Sequence, residues 1–249
     1  MLVSPEEFLN LGSGNYREKQ IGECYVKYQK LLKNADAMDF DDIIYYTVKL
    51  LENNPDVKEY YQNKFKYVLV DEYQDTNHAQ FMLTKLLSEG YNNICVVGDD
   101  DQSIYKFRGA TIENILSFEK NFKNAQVIRL EQNYRSTQNI LDAANAVISN
   151  NEQRKGKNLW TANGKGDKIV LNTLDDEYSE GKFIADEIMK KMGSTGKFSD
   201  FAVLYRMNSL SNSIERCFVR SGIPYRIIGG HKFYDRMEIK DAIAYLSVV

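Results

Sequence analysis

Residues 66–77 read KYVLVDEYQDTN, a short apolar run followed directly by acidic and amide side chains. The aromatic and aliphatic run at 67–70 is typical of a strand buried on both faces of a parallel sheet. Carboxylates at the carboxyl end of such a strand emerge at the crevice where ligands bind. Asp71 is therefore a candidate ligand of Mg²⁺, and Glu72 is a candidate base for an attacking water. The plainer alternative is that acidic residues end the strand and begin the next helix, and this segment alone does not separate the two.

Length and composition limit the possible classes of protein without selecting a function. The 249 residues suffice for one large domain or two modest ones, and 43% of them are hydrophobic. No apolar run approaches the roughly 20 residues that cross a membrane, and no signal or lipidation motif is present, so we expect a cytoplasmic protein. Cys24, Cys95 and Cys217 are widely spaced and are expected to be reduced and buried. Because the net charge is −3, any contact with nucleic acid must come from a local groove.

Apolar periodicity predicts helices and strands that alternate along most of the chain. Helices are predicted at 21–32, 40–51, 79–88, 112–118, 137–149, 177–192, 210–220 and from about 237. Strands are predicted at 67–70, 94–97, 127–130, 169–172, 201–205 and 225–228. Repeated strand–helix units imply parallel sheets with flanking helices, so the predicted fold class is α/β.

Three local features complete this prediction. Asp39 is expected to cap the second helix. The polar, Gly-containing stretch 150–167 is expected to be a long surface loop. The first predicted helix places five side chains on one apolar face: Ile21, Cys24, Tyr25, Tyr28 and Leu31.

A second motif follows the strand predicted at 94–97, where residues 98–110 read GDDDQSIYKFRGA. It combines groups that contact phosphate with aromatic and basic groups that stack on bases. The alternative is a turn whose aromatic rings fold back into the core. For Tyr105 and Phe107 taken singly, core burial is the commoner outcome.

A third motif, EQNYRS at 131–136, follows the strand predicted at 127–130. Arg135 has the reach to stabilise a γ-phosphate across a domain cleft, as an arginine finger does. Tyr134 is a candidate for stacking on adenine. The alternative for Arg135 is a surface ion pair with Glu131.

In their order and spacing, the motifs resemble the UvrD/PcrA/Rep group of superfamily-one DNA helicases. The segments that carry the resemblance are 39–44, 70–77, 96–110, 130–137, 201–208 and 223–245. Several ordered motifs are far more specific than one. The resemblance implies parts of two RecA-like P-loop NTPase domains. Residues 1–37 would end a helical insertion, 38–124 would form the later part of the first domain, and 125–249 would begin the second.

The resemblance also implies roles for individual residues. Around ATP and Mg²⁺ it makes Asp71 the metal residue, Glu72 the catalytic base, Gln102 the γ-phosphate sensor, Tyr134 the adenine-stacking ring and Arg135 the arginine finger. Along single-stranded DNA it places Phe40, Tyr105, Phe107 and Arg108 in the first motor domain, with Arg206 and Asn208 in the second. Aromatic stacking tolerates any base sequence, which is what a translocating motor needs.

The chain departs from the family pattern at two positions. The family usually has Trp where this chain has Phe107, and Phe107 can still stack over a smaller area. It has a smaller residue where this chain has Asp100, whose charge beside the phosphate sensor has no explanation in the sequence. Residues 229–236 also resemble the family, and His231 receives no role.

A Gly-rich phosphate cradle is not found in the sequence. The nearest match, GSTGKF at 193–198, has Phe198 where Ser or Thr is needed and precedes a predicted strand, so we expect a loop there. The resemblance places the cradle upstream of these residues and further motifs downstream. We therefore expect an internal fragment of a longer protein.

The function implied for that longer protein is 3′-to-5′ DNA translocation and duplex unwinding driven by ATP hydrolysis. Its partners would be single-stranded DNA, duplex junctions and repair or replication proteins, with no membrane, in the bacterial cytoplasm and at the nucleoid when on DNA. One alternative is the motor part of a helicase-nuclease subunit. Another alternative is a nucleic-acid-binding module that does not hydrolyse ATP. The missing cradle keeps this module open, while the presence of four residues implied to be catalytic argues against it: Asp71, Glu72, Gln102 and Arg135.

The missing cradle leads to a first prediction. The 249 residues expressed alone should show little ATPase activity, because nothing in them is expected to cradle the phosphates. Phosphate release with and without single-stranded DNA measures this. Robust DNA-stimulated hydrolysis by the purified chain would contradict the prediction.

Overall fold

The computed structural model describes residues 2–11, 14–152, 154–228 and 237–246. The chain divides into two compact units, Met1–Ile169 and Val170–Val249. The first unit contains helices α1 (Pro5–Leu11), α2 (Tyr16–Asn34), α3 (Phe40–Asn53), α4 (Pro55–Lys64), α5 (His78–Ser88), α6 (Glu113–Leu116), α7 (Phe118–Asn121) and α8 (Gln138–Ile148), and strands β1 (Val68–Val70) and β2 (Ile94–Val96). The second contains α9 (Glu177–Thr195), α10 (Ser211–Arg220) and α11 (Met237–Leu246). Helices α1, α4 and α7 were not predicted; α4 begins with proline, whose missing N–H costs nothing in a first turn.

The two strands pair in parallel, with Leu69 opposite Cys95 at the centre of the register. Helix α5 connects β1 to β2 along the chain, so this part of the first unit is the strand–helix–strand arrangement that the sequence predicts. The ladder continues past the strands, because the Tyr73 N–H donates to the Val97 carbonyl at 3.0 Å. This bond keeps the segment after β1 next to the segment after β2.

The other predicted strands are absent from the described residues. Segments 127–130, 169–172, 201–205 and 225–228 contain no strand there. A strand exists only with a ladder partner, and these segments have none among the residues described. Burial of β1 on both faces was also wrong, because 76% of Leu69 is exposed.

Helix α3 begins with the cap that the sequence predicts. The Asp42 N–H donates to Asp39 Oδ1 at 2.8 Å, and the Asp39 N–H donates to Asp42 Oδ2 at 3.2 Å, which completes a reciprocal capping box. The bond from Asp42, with the Tyr28 hydroxyl at 2.9 Å, holds the pKa of Asp39 below its usual value. Further along α3, Val48 and Leu51 are buried and pack with Leu86 of α5.

The apolar face predicted for α2 is wrong. Gly22 is buried against α1, where an added Cβ would lie 2.8 Å from Leu9 Cδ1, so this close approach sets which face of α2 is covered. Tyr25 lies on the covered side, with its ring edge-on to Phe8 at 6.3 Å. Exposed side chains make up the rest of the predicted face: Ile21, Cys24, Tyr28 and Leu31.

Two of the three thiols are also placed differently from the prediction. Cys217 is buried, whereas Cys24 and Cys95 are exposed. Cys24 lies on the open side of α2, and Cys95 lies on a strand whose sheet ends after two members in the described residues. All three are free thiols.

The second unit is built around the packing of α9 on α10. Its buried core consists of Ala185, Ile188, Ile214, Cys217, Phe218 and Ile223. Gly193 lies in the last turn of α9, and Gly196 caps this helix with φ 74°. The loop predicted at 193–198 is therefore wrong in its first half, because the helix continues until a left-handed glycine ends it. None of the helices described in either unit has the length and apolar character needed to cross a bilayer.

The capping box gives a prediction about stability. Asp39→Ala should lower the free energy of unfolding of the full-length protein by about 1 kcal/mol, because it removes the acceptor of the Asp42 N–H. Asp39→Asn is the matched control and should retain most of this stability, since asparagine caps equally well. Urea unfolding at neutral pH measures both.

The same cap has a pH dependence with a defined sign. The pKa of Asp39 is lower in the folded chain than its ordinary value of 3.8, so its stabilisation is present above pH 3.8 and is lost as the pH falls below it. The loss attributable to Asp39 should be missing from Asp39→Asn. Identical acid titrations of the two proteins would contradict the assignment.

Candidate functional site

The predicted carboxylate pair lies directly after β1 with both side chains exposed. The Glu72 N–H donates to Asp71 Oδ1 at 2.9 Å, and Glu72 Oε2 accepts from Gln74 Nε2 at 2.8 Å. Glu72 has φ 50°, a left-handed conformation that is uncommon for a residue with a side chain. Such strain persists only where the surroundings impose it, and it concentrates at functional sites.

Gln74 connects this pair to the loop after β2. It is 1% exposed, and its Oε1 accepts the Asp99 N–H at 2.9 Å. Its carbonyl accepts from the Ser103 hydroxyl at 3.3 Å. Gly98 leaves the space for this contact, because an added Cβ would lie 2.6 Å from Gln74 Oε1 and 3.1 Å from the Tyr73 nitrogen. Gln74 therefore joins the two loops through its buried side-chain amide and its backbone carbonyl.

Gln102, the predicted phosphate sensor, is exposed but its amide is held. Its Nε2 donates to Asp99 Oδ2 at 2.7 Å. Asp99 Oδ1 accepts from the Asp101 N–H at 3.0 Å and forms an ion pair with the Lys157 ammonium. Burial alone would raise the pKa of Asp99, but the bonds from Lys157 and Gln102 outweigh it and lower this pKa. Asp99 is thus kept ionised as an acceptor for Gln102.

The neighbouring aspartates are paired in the same region. Arg154 binds Asp101 with two bonds, Nε to Oδ1 at 2.8 Å and Nη2 to Oδ2 at 2.7 Å. Asp100 Oδ2 accepts the Lys155 N–H at 2.7 Å, which explains the charge that the sequence left unexplained. We call the three aspartates the acidic loop (Asp99, Asp100, Asp101) and the three cations the basic segment (Arg154, Lys155, Lys157). The stretch 150–167 contains no helix among its described residues, as predicted for a loop, but the basic segment anchors it.

Tyr134 and Arg135 sit on a tight turn just before α8. Asn133 Oδ1 accepts the N–H groups of Arg135 at 2.9 Å and Ser136 at 2.7 Å, which fixes the backbone. The Tyr134 ring is 78% exposed, and its hydroxyl donates to Gln132 Oε1 at 3.0 Å. Both predicted side chains are therefore available to a ligand from a fixed backbone.

The alternative for Arg135, an ion pair with Glu131, is wrong within the described residues. Glu131 Oε1 instead accepts the Asn158 N–H at 3.2 Å. Trp160 pairs beside it, donating its N–H to the Glu131 carbonyl at 3.1 Å and accepting the Asn133 N–H at 2.8 Å. The strand predicted at 127–130 is thus replaced by a single parallel bridge, between Gln132 and Trp160.

The predicted DNA-contacting residues of the first unit are exposed. Tyr105 is 37% and Phe107 is 74% exposed, so the alternative of core burial is wrong for both. Their ring centroids lie 5.9 Å apart, and the Arg108 guanidinium carbon lies 5.3 Å and 5.6 Å from the two centroids. Phe40, at the start of α3, is 89% exposed. Tyr105, Phe107 and Arg108 form one group, which we call the aromatic cluster.

Helix α6, which follows the aromatic cluster along the chain, packs on the carboxylate loop. The buried amide Nδ2 of Asn114 donates to the Thr76 carbonyl at 3.0 Å and to its hydroxyl at 3.1 Å. The Thr111 N–H donates to the same carbonyl at 3.0 Å. Tyr73 is also buried, with its ring edge-on to the ring of Phe118 and the two centroids 5.7 Å apart. Burial raises the pKa of Tyr73 to about 12. The segment after the cluster is therefore packed on residues 73–76.

The carboxylate pair fits a magnesium ion that a nucleotide helps to bind. Asp71 and Glu72 each have one oxygen in an internal bond and one without. Within the described residues, no group of three or more His, Cys, Asp or Glu side chains is placed to hold a metal. Mg²⁺ typically takes one or two carboxylates and completes its shell with waters and substrate phosphates, so a pair of carboxylates is a sufficient protein contribution.

The predicted DNA contacts of the second unit lie around a short turn before α10. Arg206 is exposed, and Asn208 begins a short 3₁₀ turn, Asn208–Leu210. The Asn208 carbonyl accepts from the Ser211 hydroxyl at 2.8 Å, which leads the turn into α10. The motif at 229–236, with His231, lies outside the described residues.

The sequence prediction missed the residues that hold the site together. Gln74 and Gly98 were both part of recognised motifs but received no role. The basic segment was part of a loop. A usable indication was present, because the run of three acidic residues and the run of basic residues complement each other in charge.

Comparison with known proteins gives two domain matches. Residues 2–123 match the UvrD/REP helicase N-terminal domain, and residues 128–249 match the UvrD-like helicase C-terminal domain. A protein of Bacillus subtilis (strain 168) named ATP-dependent DNA helicase PcrA is 54% identical over 250 residues, covering 100% of this chain and 34% of its own length. The protein of that name in Staphylococcus aureus (strain NCTC 8325 / PS 47) is 52% identical over 235 residues, 94% of this chain and 32% of its own. The chain spans about a third of the length of these relatives.

The packing around Gln74 gives a prediction. Gly98→Ala in the full-length protein should lower the free energy of unfolding by about 1–3 kcal/mol, because the added methyl group overlaps a buried amide and a backbone nitrogen. Gly193→Ala is the control, since an added Cβ there would meet nothing within 4 Å and its backbone is helical. It should be neutral or stabilising by up to about 1 kcal/mol. Equal urea midpoints for the two variants would contradict the prediction.

Proposed function

The chain belongs to the UvrD-like DNA helicase family, and from this premise we propose that the full-length protein is an ATP-dependent 3′-to-5′ DNA helicase and translocase. It would couple hydrolysis of ATP to movement along single-stranded DNA and to unwinding of duplexes. The relatives are named as ATP-dependent DNA helicases. This chain spans about a third of their length and contains the residues that we assign to ATP and to DNA.

One observation carries this proposal above the others. A continuous set of hydrogen bonds runs from Glu72 through Gln74 to Asp99 and Gln102. A candidate base and a candidate γ-phosphate sensor are thereby held in one rigid framework, while both side chains stay exposed. Acidic residues that merely ended a strand would not require a buried amide to orient them.

In the proposed nucleotide site, five side chains have separate roles. Asp71 would hold Mg²⁺, which neutralises charge on the phosphates when bound. Glu72 Oε2 is held by Gln74, which leaves Oε1 to orient the attacking water and accept its proton. Gln102 would contact the γ-phosphate, Arg135 would stabilise charge on the transferring group, and Tyr134 would stack on adenine.

The proposed DNA site uses the aromatic cluster. Exposed rings present their faces to bases of any sequence, and Arg108 adds a cation close to both rings and to the phosphate backbone. Phe40 would add a further stacking surface in the first unit. We assign Arg206 and Asn208 of the second unit to the same strand.

The finer architecture is part of the proposal. We assign residues 1–37 to the end of a helical insertion, 38–124 to the later part of a first RecA-like domain and 125–249 to the beginning of a second. Single-stranded DNA and duplex junctions would be the substrates, in repair or replication and together with proteins of those processes. The site of action would be the bacterial cytoplasm, at the nucleoid.

The role of Glu72 is tested in the full-length protein. Glu72→Gln should retain binding of ATP and lower DNA-stimulated turnover by at least about 100-fold, because the amide cannot accept the proton. Glu52→Gln is the control, since Glu52 pairs with Lys49 at the end of α3 and should leave turnover unchanged. Phosphate release and equilibrium binding of a fluorescent ATP analogue measure the two effects. Unchanged turnover in Glu72→Gln would reject the assignment of the base.

A further inference from the structure

The acidic loop and the basic segment form a bridge whose role the proposed function does not yet include. Its first contact is at Gln102, whose Nε2 donates to Asp99 Oδ2 at 2.7 Å. The other oxygen of Asp99 is paired with Lys157, which also lies 3.4 Å from Asp101 Oδ2. The lysine therefore fixes the carboxylate that fixes the sensor amide.

The centre of the bridge is shielded from water. The side chains of Arg154 and Asp101 are 17% and 8% exposed, and their two parallel bonds define the geometry of the pair. Arg154 Nη2 also donates to the Lys157 carbonyl at 3.1 Å, so the arginine holds the backbone beside the lysine. An ion pair of this kind is more rigid than one on an open surface.

The far end of the bridge reaches the backbone that precedes Tyr134. Just beyond the basic segment, Asn158 donates its N–H to Glu131 Oε1 at 3.2 Å. Trp160 exchanges backbone bonds with Glu131 and Asn133 at 3.1 Å and 2.8 Å. Residues 154–160 are thus bonded to the sensor loop at one end and to the turn that carries Tyr134 and Arg135 at the other.

A glutamine amide needs such support to act as a sensor. Its terminal torsion has a broad, roughly two-fold preference, so an unsupported amide presents either its oxygen or its NH₂ group to a ligand. The bond to Asp99 uses one hydrogen of the NH₂ group, so it fixes which side of the amide carries that group and leaves its second N–H in a defined place to donate to a phosphate oxygen. Preorganisation of this type acts mainly on the rate of the chemical step.

We propose that Lys157 is a positioning residue for Gln102, and that residues 154–160 couple the sensor loop to the backbone that carries Tyr134 and Arg135. The proposal rests on the proposed function for its catalytic consequence. Its structural part, the rigid link between the two loops, stands on the contacts alone. Lys157 touches no substrate in this scheme and acts through Asp99.

The activity test uses the full-length protein and a control from the same segment. Lys157→Met should lower the DNA-stimulated kcat by about 10-fold or more, with the KM for ATP changed by less than about threefold. Lys155→Met removes an ammonium that pairs with the exposed Glu119 and keeps the backbone bond to Asp100, so its kcat should stay within about twofold of wild type.

A double variant separates positioning through Gln102 from general damage. If Lys157 acts through Gln102, Lys157→Met should lower kcat little further in a Gln102→Ala background. Lys157→Arg should recover most of the activity, because it keeps a cation beside Asp99. Equal kcat values for Lys157→Met and Lys155→Met, or losses that multiply with Gln102→Ala, would overturn the positioning role.

Hydrogen exchange tests the structural link without requiring ATP turnover. Lys157→Met should speed amide exchange at residues 99–102 and also at 131–134, whereas Lys155→Met should leave both unchanged. Faster exchange throughout the protein, or at 99–102 alone, would overturn the link. If the variants show this exchange pattern but the wild-type protein has no DNA-stimulated ATPase activity, the proposed function fails and the link stands.

Discussion

The buried amide of Gln74 is the interaction on which the candidate site depends. It is a donor to Glu72 and an acceptor from the Asp99 N–H, and almost none of it is exposed. Because a buried amide that loses a partner leaves an unsatisfied polar group, both loops are held at the distance that satisfies it. The close approach of the two loops also requires glycine at position 98, since only a residue without a Cβ fits beside the Gln74 amide. The left-handed backbone of Glu72 is tolerated only where such bonds surround it.

The acidic loop concentrates three carboxylates next to Gln102, the proposed phosphate sensor. Three consecutive carboxylates repel one another and would repel a nucleotide, unless each has its own partner. Lys157, Arg154 and the Lys155 N–H supply these partners one by one. Removing one cation from such a partly buried set costs more than the pair itself contributes, because a charge is left behind. The arrangement therefore favours a single fixed geometry over a general gain in stability.

What the sequence predicts here is local, and what it misses is long-range. The cap at Asp39, helix α5 and the parallel pairing of β1 with β2 follow from spacing and residue type over a few positions. The buried face of α2 depends instead on Leu9 fitting against Gly22, and no periodicity encodes that contact. Likewise the basic segment lies far along the chain from the acidic loop, so its motif resembled an ordinary polar loop. The catalytic candidates could be named because they lie in contiguous motifs, whereas the cations that support them, Arg154 and Lys157, come from a distant part of the chain.

Two routes leave the carboxylate loop, and they differ in physical character. One runs from Thr76 to Asn114 and Thr111, and so toward the aromatic cluster, through short neutral hydrogen bonds around a buried amide. The other runs from Gln74 through the acidic loop and the basic segment, where the bonds are ionic. Neutral buried bonds are insensitive to salt, while ion pairs weaken with it according to their exposure. A displacement of residues 72–76 would therefore reach Asn114 and Thr111, which follow the aromatic cluster along the chain, through neutral bonds that do not depend on ionic strength. The same displacement would reach Tyr134 and Arg135 through ion pairs, and the stiffness of this second route depends on how well those pairs exclude water. The shielded pair of Arg154 and Asp101 is therefore its strongest point.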